Sequence, residues 1–152
     1  MARSFFTAAN TTKQALTATV LKTAIQLKAP TNQRVAVQQI TVSFDGTVNT
    51  NTPIICQVFR QSTAGTVSGS AATIKAKDND IATAIQSTVQ DGFTAEPTAT
   101  DQHWITFIHP QIGVVYALPI PGEIILAGGG RLGVALTAPQ TVDVLVTIEG
   151  EE

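Results

Sequence analysis

Few side chains in this sequence are of the types that do chemistry, and their spacing decides how far each can go. His103 and His109 are the only histidines, six residues apart. On an extended chain that separation puts them on one face but roughly 20 Å apart, so one ion held at about 2.0–2.2 Å cannot join them. A cupin-type centre wants an H-x-H pair with a nearby Glu and a further His, and the sequence has no such group. Both histidines read as strand-edge or loop residues, and no metal is expected. Cys56 is the only cysteine. As a nucleophile it would need a general base and electropositive surroundings to lower its thiol pKa, whereas its alternation with Ile54 and Val58 predicts a small buried hydrophobe. One cysteine also excludes an intrachain disulfide and a multi-cysteine zinc site.

The remaining candidates weaken in the same way. Gly128-Gly129-Gly130 looks like a phosphate loop but lacks the Lys-Ser/Thr and the strand–helix setting that supply a helix N-terminus, so it reads as a hairpin turn. Asp78 and Asp80 flank Asn79 as in some calcium loops, without the continuing ligand spacing or the distal Glu. The acidic residues fall in turns or in the last residues (Glu149, Glu151, Glu152), not as the carboxylate pair, roughly 5–9.5 Å apart, that glycoside hydrolysis needs. Trp104 and Tyr116 are the single Trp and Tyr. They offer a sugar-stacking platform, but a core or inter-sheet position for Trp104 is the stronger reading. No catalytic residue and no cofactor is expected.

The elements that would position these residues are strands. Short apolar/polar alternations are separated by turn signals, the pattern of half-buried antiparallel β-structure. Between Thr19 and Leu27, Leu21, Ile25 and Leu27 share one face and Lys22 and Gln26 the other, before Pro30 and Asn32 end the run. From Arg34 to Asp45, Ala36, Ile40, Val42 and Phe44 point one way, and Asp45-Gly46 turns the chain. Residues Ile54 to Gln61 form a strand whose buried face is Ile54, Cys56 and Val58. Ser62 to Asp80, rich in small residues, reads as a long surface loop. A weak strand follows at Ala82–Val89, with connections at Asp91-Gly92 and Glu96-Pro97.

The last third is dense in strands: His103–Ile108, Val114–Leu118, Glu123–Leu126, Arg131–Leu136 and Val142–Ile148. About eight or nine strands are expected, an N-terminal one at Arg3–Thr7 among them, and an all-β sandwich follows. A helix at Lys13–Ala24 is the main local competitor. There is no tandem repeat and no second composition regime, so residues 1–152 read as one domain, with 1–15 an N-terminal arm or first strand.

Composition narrows the function classes. The chain has 152 residues, 9 Lys+Arg against 11 Asp+Glu and 13% charged residues, with no basic excess to neutralise a phosphate backbone. Nucleic acid is therefore not an expected partner. Nor is a membrane, because Pro119, Pro121 and Glu123 break the longest apolar stretch. The start lacks the pattern of a secretory signal, and synthesis in the cytoplasm is expected. Threonine fills 23 positions and glutamine 12. A surface so poor in charge, against about 25% in ordinary proteins, points to a life in contact with other protein.

The order of segments resembles a known family, the jelly-roll capsid decoration (cement) proteins of tailed bacteriophages and related head or tail accessory proteins. The resemblance runs from Met-Ala-Arg-Ser-Phe through Leu27-Lys28-Ala29-Pro30, Val37 to Phe44, the Arg60–Gly65 exit and Gly113–Pro119. It closes on Glu123–Leu126, a Gly-Gly turn, Arg131–Leu136, and Pro139 through Ile148-Glu149. Against relatives, Ser62–Asp80 carries Lys75 and Lys77 without a Pro-rich stretch, and the loop at 47–52 is plain Thr/Asn.

The resemblance implies a jelly-roll-like antiparallel sandwich of about eight strands and a non-enzymatic virion protein made in the host cytoplasm. It would be a homotrimer on the outer capsid surface, at or near local three-fold axes, bridging the major capsid protein. The alternative is a tail, baseplate or fibre accessory protein with a carbohydrate-binding role. A soluble enzyme is a third reading, requiring a cleft of titratable groups with perturbed pKa values. Candidate capsid contacts are Arg3, Phe5 and Phe6, because two adjacent Phe cannot both face inward from a strand; the competing reading has one pack under a loop. Candidate trimer contacts are Val114, Val115, Tyr116 and Leu118, whose apolar run exceeds one face, though a sandwich core also accommodates such an excess.

Overall fold

A computed structural model describes residues 4–45, 52–68, 72–78 and 85–152. Among them are fourteen strands: β1 (Phe5–Ala9), β2 (Gln14–Leu16), β3 (Leu21–Lys28), β4 (Val35–Phe44), β5 (Ile54–Gln61), β6 (Thr66–Val67), β7 (Thr73–Ala76), β8 (Thr88–Gln90), β9 (Phe93–Ala95), β10 (Ala99–Ile108), β11 (Val114–Ala117), β12 (Ile124–Leu126), β13 (Arg131–Thr137) and β14 (Val142–Glu151). One sheet, here sheet A, runs β11-β4-β14-β1-β7, with β12 also on β4 and β2 on β14. Sheet B runs β10-β5-β13-β3-β8, and β6 pairs with β9 in a small flap. The paired strands are antiparallel throughout. The expected all-β antiparallel sandwich is what forms.

The core between the sheets is mostly aliphatic. Phe6, Val37, Ile40 and Ile148 from sheet A meet Ile25, Leu27, Val58, Leu132 and Leu136 from sheet B. Ile54, Cys56 and Val58 are fully buried, as the alternation of β5 predicts. At the side where β10 and β11 form the sheet edges, Trp104 stacks on Tyr116 with ring centroids 4.1 Å apart and planes 1° from parallel. This is an inter-sheet position, and each ring spends a face on the other. Lys13, just ahead of β2, reaches Asp143 at 2.6 Å and Asp45 at 3.0 Å. These two carboxylates raise its pKa, Asp143 more.

Several local expectations change. Gln14–Leu16 is a strand, so no helix occupies Lys13–Ala24. The strand count exceeds eight or nine in part because Ser62–Asp80 is not all loop, β6 capping sheet B and β7 extending sheet A against β1, and in part because β2 and β9 add two more short strands. The strand expected at Ala82–Val89 is described only at Thr88–Gln90, and 82–84 lie outside the described residues, as do Gly46, residues 47–51, Asn79 and Asp80. β-Bulges overturn two face assignments, since an extra residue inverts the alternation beyond it. In β4 the register skips at Gln38, so Val35 and Val37 join Ile40 and Val42 in the core while Ala36 goes to the outer face. In β3 the skip falls at Ala24, and Leu21 lies opposite to Ile25 and Leu27, 40% exposed.

Candidate functional site

The outer face of sheet B divides into two halves. Both are built from the same strands, β3, β13, β5 and β10. At one end the flap and the chain around it lie over the sheet. There, Gln26 Nε2 donates to Gln61 Oε1 at 2.7 Å and to the Thr63 carbonyl at 3.0 Å, and Gln61 Nε2 donates to Thr23 Oγ1 at 3.3 Å. Gln26, Gln61 and Thr23 are buried. Gly133 lies beneath them because a Cβ there would come within 2.3 Å of the Gln61 amide. The flap is held by Lys22 Nζ donating to the Phe93 carbonyl at 2.6 Å and Thr23 N–H donating to Glu96 Oε2 at 2.7 Å. The Phe93 side chain fills the space below.

The other half is bare. A cross-strand row, Leu21–Thr137–Ile55–Phe107, crosses four strands, and Ile105 stands one pair further along β10. Phe107 is 70% exposed and Ile105 53%. Beside Phe107 lies an apolar hollow of about 290 Å³ bounded by Pro53, Ile55, Thr137, Pro139 and Thr19. Thr19 has φ +62°, the left-handed region that a β-branched residue occupies only under strain. β10 is also a sheet edge among the described residues. Its first half is bulged at two points between Ala99 and Trp104, which disfavours edge pairing, while Trp104 to Ile108 runs in regular register.

The outer face of sheet A carries a group of charges toward one end, with Glu149, Glu151, Lys75 and Lys77 near Phe5. One row, Val115–Thr41–Thr147–Ala9–Thr73, spans five strands without a charge. The next, Ala117–Gln39–Glu149–Thr7–Lys75, carries two charges, and Glu149 is tied to Lys77 at 2.7 Å.

The candidates from sequence separate accordingly. Phe5 is 40% exposed on the outer face of sheet A, paired with Glu151, whereas Phe6 is fully buried in the core and presents nothing to a partner. Arg3 lies outside the described residues. Val114 and Tyr116 pack against the core and Leu118 is buried, so Val115, 59% exposed, is the one of those four that faces outward. His103 is on the exposed part of β10, its pKa lowered by partial burial and by Arg60 against an opposing pull from Asp101. Burial pushes the Cys56 thiol up to about 12, far from thiolate chemistry. Among the described residues no three His, Cys, Asp or Glu side chains gather as a metal site.

Two features escaped the sequence pattern. Asp91, read as a turn residue, is fully buried and accepts from Asn10 Nδ2 at 3.1 Å and Thr11 N–H at 3.4 Å. It thereby staples the β8–β9 turn to the end of β1. The bare end was signalled only by apolar residues on both parities of Trp104–Ile108.

Comparison with known proteins finds no similar family model, no similar characterised protein and no similar solved structure.

Proposed function

We propose that this protein is a non-enzymatic structural component of a virion. It binds the outer capsid surface as a homotrimer, at or near local three-fold axes, and braces neighbouring major capsid subunits. Support comes from the sequence resemblance, and one structural observation carries it furthest: the outer face of sheet A carries an uncharged row, Val115–Thr41–Thr147–Ala9–Thr73, across five strands. Threonine, glutamine and aliphatic side chains make contacts without the desolvation cost of burying charge. A trimer lets three modest contacts act together at high effective concentration. Such a protein stabilises a shell by mass action, because it binds the assembled lattice and not its free subunits.

On this reading the shell contact is the outer face of sheet A, where Phe5, Val115 and the row through Thr41 and Thr147 lie. Co-sedimentation of the purified chain with capsids stripped of it tests the assignment. Thr147→Lys, which places a charge mid-face, and Phe5→Ser are each expected to cut binding at least tenfold with the fold intact by circular dichroism. Undiminished binding by both would remove sheet A as the contact.

A further inference from the structure

We infer that copies of this chain associate through the bare end of sheet B, with Phe107 of one copy seated in the hollow beside Phe107 of the next. The inference shares with the proposed function only the self-association of the chain, and the chain alone tests it.

Three observations favour a second copy as the occupant. The first is shape. A knob, Phe107 at 70% exposure, and a hollow of about 290 Å³ lie side by side on one surface. Two identical surfaces each carrying both can satisfy each other, in an isologous pair or head to tail around a closed ring. The second is charge. The residues bounding the hollow are uncharged, so a second copy meets no like charge there, and a charged partner finds no counter-charge. The third is area. Leu21, Ile105 and Phe107 are each at least 40% exposed. With the Thr and Pro surface between them they form a patch of several hundred Å², the order that marks interaction sites. Matched against itself, such a patch is doubled, toward the roughly 1,000 Å² in total above which interfaces become specific.

Among the described residues, no other element is paired with or folded over this surface. The flap covers the far end and is fixed there by Glu96, Lys22 and Phe93, and the bulges of β10 lie away from Phe107. Thr19, with its left-handed backbone, forms one wall of the hollow.

The test is sedimentation velocity of the full chain from 1 to 100 μM, with circular dichroism as the fold control. The wild type is expected to sediment as a dimer or trimer at the upper end. Phe107→Asp is expected to sediment as a monomer throughout, and Phe107→Thr, which keeps strand propensity, to weaken association at least tenfold. Val115→Asp, on the opposite sheet, is expected to associate like the wild type. A wild type that stays monomeric, Phe107 variants that associate undiminished, or dissociation by Val115→Asp alone would each overturn the inference. Capsid binding is scored separately, so a monomer that still binds capsids removes this interface without removing the shell reading.

Discussion

The two halves of sheet B's outer face share strands and orientation yet are finished in opposite ways. Under the flap the sheet presents Thr23, Gln26, Gln61 and Gly133, small or polar residues sealed by hydrogen bonds. Past Ala135 the same strands present Leu21, Ile55, Ile105 and Phe107 to the outside. On this face the covered end buries paired amides, and the open end leaves Leu21, Ile105 and Phe107 exposed. Cover supplied by the chain itself can be specified by directional bonds, because its two sides fold together and a buried amide is tolerated once paired. A surface that waits for cover from another molecule does better with apolar side chains, which gain from burial and leave no buried donor unmet if the partner is absent.

The comparison breaks most visibly at the two phenylalanines. Phe93→Ala empties the space under the flap and is expected to cost about 3 kcal/mol or more in urea unfolding. Phe107→Thr, measured where the chain is monomeric, is expected to change stability by less than about 0.5 kcal/mol. Equal losses would mean that the bare end is packed within the chain. Next in size, Gln61→Leu strips partners from the buried Gln26 and Thr23 and is expected to cost about 2 kcal/mol, with faster amide exchange in β6 and β9 than in β10.

Relieving the left-handed backbone should have the opposite sign. Thr19→Gly is expected to stabilise the monomer by about 0.5–1 kcal/mol, read as a higher urea midpoint, while loosening the hollow and weakening self-association. The smallest effect lies at His103. Its folded pKa is below 6.5, so the unfolded chain binds more protons in the window just under that value. Stability therefore rises with pH through the window and is fully present above it. His103→Gln should flatten that slope in unfolding midpoints taken from pH 5 to 7.

Strand positions were legible wherever the alternation was unbroken. β5 came out from Ile54 to Gln61 with its buried face assigned, and the turns at Gly92 and Gly129 fell where Gly at positive φ allows them. Face assignments failed at β3 and β4, because a bulge adds a residue with no signature in residue type, and every side chain beyond it changes sides. β6 and β7 were hidden because their pairing partners, β9 and β1, supply what their own residues lack. The outward surface was least legible. Alternation marks Gln26 and Gln61 as solvent-facing, and only the flap, a contact far apart in sequence, makes them interior. Phe5 and Phe6 show the limit in miniature: the pair must split, but which one faces out follows from the register of β1 on β14.

The functional claim is most directly tested by the number of copies of this chain per purified virion, from quantitative mass spectrometry against the major capsid protein. A ratio near one to one, or one trimer per local three-fold axis, is the result predicted for a shell-bracing protein. A handful of copies per particle, or none, would contradict it.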